Sequence, residues 1–342
     1  MKQIFCSTVS SVGMYVPEKI VTNEDLTKLM DTSDEWIEER TGIKERRFVE
    51  SGVATSDLGH KAAIDALNKS RIKSQDLDLI IATTLSPDFY FPGIGVLIQN
   101  KLSCDAPAID LRGQCSGFTW AMTTADSFIR SGQYKKILIV GAEIQSRVIE
   151  FSNRGRNVSV LFGDGAGAMV LQSREVEHLP TATNNERGII DNLMGSDGSG
   201  AEILAIKRPG MSGEDEFITT EETSEKAYLP IMDGRQVFKN AVRRLFESAT
   251  TILERNKLKA SDIDVVIPHQ ANLRINSAVA EKLGIEKHKV MHNIQKYGNT
   301  TSASLPICMS EACDEGKVKK GMLVLTLAFG SGFSWGANLI RW

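Results

Sequence analysis

Three short stretches carry residues able to make and break bonds. Ile109-Asp-Leu-Arg-Gly-Gln-Cys-Ser-Gly-Phe118 brackets Cys115 between Gly113 and Gly117. Val265-Val-Ile-Pro-His-Gln-Ala-Asn272 sets His269 directly after an apolar run, between Pro268 and Gln270. Tyr297-Gly-Asn-Thr300 presents Asn299 behind a glycine. A cysteine–histidine–asparagine set suits two chemistries. In a cysteine hydrolase the histidine is the base and the asparagine orients it. In a thiolase-type enzyme the cysteine carries an acyl group, while histidine and asparagine donate hydrogen bonds to a thioester oxygen as an enolate develops. A lone cysteine is ordinarily a small core residue, and a lone histidine a surface or satisfied core residue. The two glycines around Cys115 and the strand-end setting of His269 separate them from that reading. His60, His178, His288 and His292 have no such setting.

The elements that must position these groups are legible. Apolar residues at helical spacing over Phe118–Ile129 predict a strand end, a tight turn and a helix start around Cys115. The free N–H groups of that helix start favour the thiolate over the thiol, and such a turn lifts the sulfur clear of a sheet, as a nucleophile elbow does. A first strand is expected over Ile4–Val12. Asn23-Glu-Asp opens a helix with a capping residue and early acids, and Thr32 or Ser33 caps a short helix that carries Trp36 among acids. A helix over Ser56–Ser70 precedes Asp76–Ala82, which, like Tyr134–Gly141, is a continuous apolar run of the buried parallel-strand kind.

The chain repeats itself. Arg71-Ile-Lys-Ser-Gln-Asp-Leu-Asp-Leu-Ile-Ile81 resembles Lys257-Leu-Lys-Ala-Ser-Asp-Ile-Asp-Val-Val-Ile267, with Asp76 against Asp262 at an offset of 186. Near that offset Gly113-Gln-Cys-Ser-Gly falls on Gly298-Asn-Thr-Thr-Ser, and Lys135–Val140 on Lys320–Leu325. Phe162-Gly-Asp-Gly-Ala-Gly also resembles Phe329-Gly-Ser-Gly. A period of half the chain is too long for a solenoid. It implies two βαβ-rich halves, residues 1–175 with the cysteine and 176–342 with the histidine and asparagine, packed as a pseudo-dimer in α/β layers. Elbow loops at equivalent places then face each other across the axis, Cys115 on one and Asn299 on the other. Gly163-Asp-Gly-Ala-Gly leads into a strand-like segment, whereas a dinucleotide fingerprint must open a helix. Lys207–Pro230 is polar and acidic (Gly213-Glu-Asp-Glu, Glu221-Glu-Thr-Ser-Glu) and reads as a surface insertion.

Composition narrows the field. The chain has 342 residues, 42% of them hydrophobic and 24% charged, with a net charge of −3. No basic excess points to nucleic acid. Neither a signal peptide nor an 18-residue apolar span is apparent, so no membrane association and a cytoplasmic location are expected. Five cysteines, an odd number without a CxxC pair, argue against disulfides and a zinc site. A papain-like protease would carry its cysteine near the mature N-terminus, often with disulfides. This chain has neither, and it has the duplication.

Gln114-Cys-Ser-Gly117, Phe162-Gly-Asp-Gly-Ala-Gly167, Pro268-His-Gln-Ala-Asn272, Tyr297-Gly-Asn-Thr300 and Ala328-Phe-Gly-Ser-Gly-Phe333 together resemble the 3-oxoacyl-(acyl-carrier-protein) synthase III family. The resemblance implies a thiolase fold, five-layered α-β-α-β-α, and a homodimer. It implies a ping-pong decarboxylative Claisen condensation that initiates fatty acid synthesis. Cys115 takes an acyl group from acyl-CoA, and the carbanion left by decarboxylation of malonyl-acyl carrier protein attacks the thioester. No metal or cofactor is implied, since acyl-CoA and malonyl-ACP are substrates. His269 and Asn299 would stabilise the enolate. Backbone N–H groups of Cys115 and of the Phe329–Gly332 loop, Ser331 included, would hold the acyl oxyanion. Trp36 would stack on the CoA adenine with Thr32 and Arg40 nearby, and Arg154 or Arg156 on the other side. Asn272 would contact the pantetheine. Phe162 and Phe329 belong to the acyl pocket, and Phe91 would reach that of the other subunit.

Acyl carrier proteins are acidic, so docking on this net-negative chain requires a local basic patch. Lys239 and Arg243 share a helix face, with Arg235 one turn back, and Arg274 and Lys282 extend the patch. Ser331 departs from the family's usual third glycine. Two other readings stay open: a specialised relative that condenses or transfers other acyl groups in secondary metabolism, and a non-catalytic partner subunit. The presence of Cys115, His269 and Asn299 argues against the second.

Overall fold

The computed structural model describes residues 3–212 and 217–342. Two sheets dominate. The first has strands β1 (Ile4–Tyr15), β2 (Leu79–Thr83), β3 (Ala108–Asp110), β4 (Lys136–Glu143) and β5 (Gly165–Val176) in the order β1-β5-β4-β2-β3. The second has β6 (Gly188–Ser196), β7 (Val265–Pro268), β8 (Leu323–Gly330) and β9 (Ser334–Arg341) in the order β6-β9-β8-β7. The orders match strand for strand. So do the senses of pairing: β4–β2 and β8–β7 are parallel, while β5 and β9 are antiparallel to both their neighbours. In place of β3 the second half keeps one parallel bridge, Val266 to Val290, where the first pairs Ile80 with Ala108.

Side-chain alternation inside the apolar runs produces five layers. In β4, Ile137 and Ile139 turn toward the middle of the molecule, and Leu138, Val140 and Ala142 toward the outside. Such a run must be covered on both faces, which is why it lacks a polar phase. Seven helices matter to the site: α1 (Asp34–Thr41), α2 (Thr55–Ser70), α3 (Ile94–Lys101), α4 (Gly117–Arg130), α5 (Gly234–Arg255), α6 (Leu273–Leu283) and α7 (Ser304–Asp314). Helices α2 and α3 cover the outer face of the first sheet, and α5 and α6 that of the second. Between the sheets lie α4 and α7, with Phe118, Met122, Leu305 and Met309 packed against strands of both sheets in one core. This is the expected α-β-α-β-α thiolase arrangement.

The duplication aligns the elbows differently from the sequence. A single 3-10 turn precedes each middle helix, Gln114–Ser116 before α4 and Thr301–Ala303 before α7. The first residue of each has positive φ, 49° at Gln114 and 47° at Thr301. Cys115 is therefore the counterpart of Ser302, at an offset of 187, not of Thr300. Asn299 lies just before its elbow, two residues ahead of Thr301. The likeness of Phe162-Gly to Phe329-Gly is likewise not structural. Phe329 is in β8, the counterpart of β4, and a tight hairpin joins β8 to β9, whereas a long loop carrying Phe162 joins β4 to β5.

Smaller readings shift as well. The cap of the short helix Asn23–Thr27 is Thr22, whose hydroxyl and Asp25 form a reciprocal capping box. Ser33, not Thr32, caps α1. The insertion is more than surface. Its base is a two-stranded ribbon, Leu204–Ala205 with Ile231–Met232. Phe217 packs on Tyr90 with ring centroids 4.9 Å apart, and Lys226 pairs with Glu150 at 2.6 Å. The acidic run Gly213–Glu216 lies outside the described residues.

Candidate active site

A cavity of about 540 Å³ runs from Trp36 and Arg40 at its mouth to Cys115, His269 and Asn299 at its floor. Each floor residue comes from a different loop at a strand end or elbow, where α/β sheets gather their functional groups.

Cys115 occupies the 3-10 turn before α4 and is 9% exposed. Burial, and then the Glu143 carboxylate, push its thiol up to about 12, against a smaller opposing effect of its own N–H. This runs against the expected thiolate bias. Desolvation penalises the charged form more than the helix start favours it. The turn lies against Gly330 at the end of β8, where an added Cβ would come within 2.8 Å of the Cys115 nitrogen. Gly330 lines the cavity floor; Ser331 is not among its lining residues.

His269 leaves the end of β7 with its N–H bonded to the Leu327 carbonyl at 2.7 Å. The ring is buried, and burial lowers its pKa to about 3, so the imidazole is neutral at neutral pH. Its Nδ1 lies 2.5 Å from Ser304 Oγ, which also accepts the Gln270 N–H at 3.1 Å. Ser304 has one hydroxyl proton, and no acceptor other than Nδ1 lies within reach of it among the described hydrogen bonds. That assigns the proton of His269 to Nε2, which has no protein partner. The histidine therefore offers a donor, not a base, to the cavity. Asn299 is similarly prepared. Its Oδ1 accepts the Thr301 N–H at 2.8 Å, and its backbone bonds to Leu161 and Gly163. With the oxygen occupied, its Nδ2 is the atom available to a ligand.

At the mouth two guanidinium groups lie over Trp36, Arg40 at 4.5 Å and Arg156 at 5.0 Å from the ring centroid. Arg156 also donates to the Asp31 carbonyl. Arg154 is instead exposed and paired with Glu150 at 2.8 Å. The structure thus brings Arg156, not Arg154, to the tryptophan. Thr32 is close in sequence but does not line the cavity. Asn272 does; its side chain caps α6 and donates to the Arg40 carbonyl at 3.0 Å, tying mouth to floor. Phe162 and Phe329 line the cavity, whereas Phe91 is 79% exposed and outside it. Lys239, Arg243, Arg274 and Lys282 are exposed. Arg274 lines the mouth near Phe238, and Lys282 lies over Phe246, further along the surface.

The sequence and fold of other proteins match this arrangement. Residues 109–198 match the family model described as 3-oxoacyl-[acyl-carrier-protein] synthase III, and residues 253–342 match that for its C terminal region. The β-ketoacyl-[acyl-carrier-protein] synthase III of Clostridium acetobutylicum is 42% identical over 335 residues, 98% of each chain. The chain belongs to the 3-oxoacyl-[acyl-carrier-protein] synthase III family. The crystal structure of the synthase III from Aquifex aeolicus VF5 superposes with a TM-score of 0.87 at 41% identity, covering 98% of this chain and 100% of that one. The priming β-ketosynthase of the R1128 polyketide pathway gives 0.87 at 30% identity, covering 99% and 97%. Synthases III are condensing acyltransferases, and this chain is one of them.

Several residues that build this synthase site escaped the sequence reading. Ser304 sets the histidine tautomer, yet a serine at a helix start signals only a cap. Val237, Phe238, Ala241 and Leu245 of α5 form one wall, and Leu204 and Met232 of the ribbon another. Their spacing marks an apolar face, and no local signal distinguishes a cavity wall from a core.

Proposed function

We propose that this synthase loads Cys115 from an acyl-CoA and condenses the bound acyl group with malonyl-acyl carrier protein, giving 3-oxoacyl-ACP, CO2 and CoA. The observation that carries the reading is the pair of contacts at the floor, Ser304 Oγ on His269 Nδ1 and Thr301 N–H on Asn299 Oδ1, which turns His269 Nε2–H and Asn299 Nδ2 toward the cavity as donors. In the first half-reaction the Cys115 sulfur attacks the thioester carbon, the carbon–sulfur bond to CoA breaks, and the thiol proton ends on the CoA sulfur. The oxyanion faces the N–H of Cys115 and the Gly330–Ser331 stretch. In the second, the malonyl carboxylate leaves as CO2, and its bonding electrons form an enolate whose oxygen meets the two donors. Its carbon then attacks the acyl-cysteine and expels the sulfur. Preorganised donors in a buried site lower such a barrier because they need no reorganisation as charge develops.

Trp36, Arg40 and Arg156 would hold the CoA adenine, and Asn272 the pantetheine. The acyl chain would lie along Phe162 and Phe329. Phe91, beside exposed Phe89 and Tyr90, would complete the pocket of a second copy in a homodimer. Lys239, Arg243, Arg274 and Lys282 would receive the acidic carrier protein. No resident cofactor enters this scheme, and the setting is cytoplasmic. Among the described residues no helix is long and apolar enough to cross a membrane.

Intact-mass measurement after acetyl-CoA, on wild type and Cys115→Ala, tests the loading step. Carbon dioxide release from malonyl-ACP tests the second. Label retained in the mutant on Cys104 or Cys308 would sink the assignment. Likeness to the polyketide priming enzyme favours a second reading, a primer outside common fatty acid synthesis. A panel of acyl-CoA chain lengths separates the two.

A further inference from the structure

The duplication gives the molecule two elbow turns, and each rests on the strand end of the opposite half. The Cys115 turn rests on Gly330 of β8. The Ser302 turn rests on Glu143 of β4, the residue in the place that Gly330 holds in the second half, again at an offset of 187. The first arrangement leaves room for a substrate. The second is filled. Glu143 is fully buried and surrounded by donors: Ser302 Oγ at 2.7 Å, Ser86 Oγ at 2.9 Å, Leu85 N and Gln145 Nε2 at 3.0 Å, and Thr84 Oγ at 3.2 Å. No Lys or Arg is among its partners in the described structure. Burial pushes the Glu143 carboxyl up, and the donors oppose that push; a carboxylate accepts only, so a shell built wholly of donors favours its ionised form.

We propose that Glu143 is a positioning residue that plugs the pseudo-symmetric counterpart of the active site and, through Ser302, fixes the turn that presents Asn299. The connection is short. The Ser302 N–H approaches Glu143 Oε1 at 3.4 Å, and the preceding Thr301 N–H holds Asn299 Oδ1 at 2.8 Å. Glu143 also anchors Thr84–Ser86, the root of the loop bearing Phe91. Its charge acts on the Cys115 thiol and favours the protonated form. One side chain thus disfavours the thiolate at the working elbow while aligning a donor from the idle one.

The assignment rests on the division of labour proposed above. Glu143→Gln keeps the shape and removes the charge. The acylation rate from acetyl-CoA should be retained or faster, while malonyl-ACP decarboxylation by the acyl-enzyme falls at least about 10-fold, as for a misplaced oxyanion donor. The pH profile of Cys115 alkylation by iodoacetamide should move to lower pH. Should Glu143→Gln fail to fold, Ser302→Ala removes one contact between turn and carboxylate and should slow decarboxylation selectively. Proportional loss of both half-reactions with an unmoved alkylation profile would overturn the proposal and leave Glu143 as packing alone. Alkylation uses neither substrate. A wild type that never decarboxylates malonyl-ACP would therefore defeat the proposed function, while proportional loss of both half-reactions with a fixed alkylation profile would defeat the role of Glu143.

Discussion

Ser304→Ala tests whether His269 works as a fixed donor. The hydroxyl lies 2.5 Å from Nδ1 and holds the Gln270 N–H at 3.1 Å. Removing it leaves two buried polar atoms unpaired, at a cost of about 1–3 kcal/mol each when nothing replaces the partner. Part of that cost appears as lost stability and part as freedom of the ring to turn or change tautomer. Complete loss of one oxyanion donor costs on the order of 10²–10³ in rate, which is the ceiling and the expected effect of His269→Ala. Ser304→Ala should therefore slow malonyl-ACP decarboxylation by about 10–100-fold, or roughly 1.4–2.8 kcal/mol of barrier. Acyl loading should suffer less, because the sulfur and its oxyanion groups stay in place. The assay is single-turnover CO2 release from pre-acylated enzyme beside intact-mass loading kinetics. Because burial holds His269 near a pKa of about 3, the wild-type decarboxylation rate should show no histidine limb at the ordinary value of about 6.5. Unchanged CO2 release in the mutant, or a wild-type acid limb near that value, would refute the reasoning.

Other outcomes are expected with it. Alkylation of free Cys115 should rise about tenfold per pH unit toward the value of about 12 to which burial pushes its thiol; a plateau near neutrality would show that the thiolate already prevails. Gly330→Ala sets a methyl group 2.8 Å from the Cys115 nitrogen and should depress both half-reactions together; normal loading would contradict the close packing of that turn. Arg156→Ala should raise KM for acyl-CoA and Arg154→Ala should not, since of these two arginines Arg156 lies over Trp36 and Arg154 pairs with Glu150; equal effects would separate the tryptophan from nucleotide binding. Lys239→Glu should raise KM for malonyl-ACP, most at low salt, without affecting loading from acetyl-CoA. Kinetics matching wild type at low salt would make the basic face merely solvated. Arg274→Glu should affect both substrates, because that residue also lines the mouth.

What the sequence revealed follows from how local each signal is. The glycines around Cys115, the run ending at His269 and the glycine before Asn299 are features of a few adjacent residues, and all three groups meet at one floor. The half-chain repeat foretold two sheets of one topology. The elbow offset was misread by two residues because Gly113 and Gly298 look equivalent, while the backbone matches Gln114 to Thr301 through their positive φ. The state of Cys115 turns on a similarly long-range effect. The helix start is visible in sequence, but the burial that outweighs it depends on the opposite half. Ser304 and Glu143 were missed since their contacts cross between segments far apart in the chain.

The shared middle layer has a consequence for how this enzyme tolerates change. Helices α4 and α7 each begin at an elbow, and they pack in one core with Phe118 and Leu305 close behind the turns. Protein interiors transmit small volume changes instead of absorbing them. A methyl group added or lost in that layer can shift one elbow relative to the other, and hence sulfur relative to amide. The inner apolar residues are therefore part of the gauge that sets the distance between sulfur and donors, although none of the core residues between the sheets lines the cavity. Drift in sequence should be freer in the outer helices away from the cavity than between the sheets, and a specificity change can begin in residues that no docking of a ligand would single out.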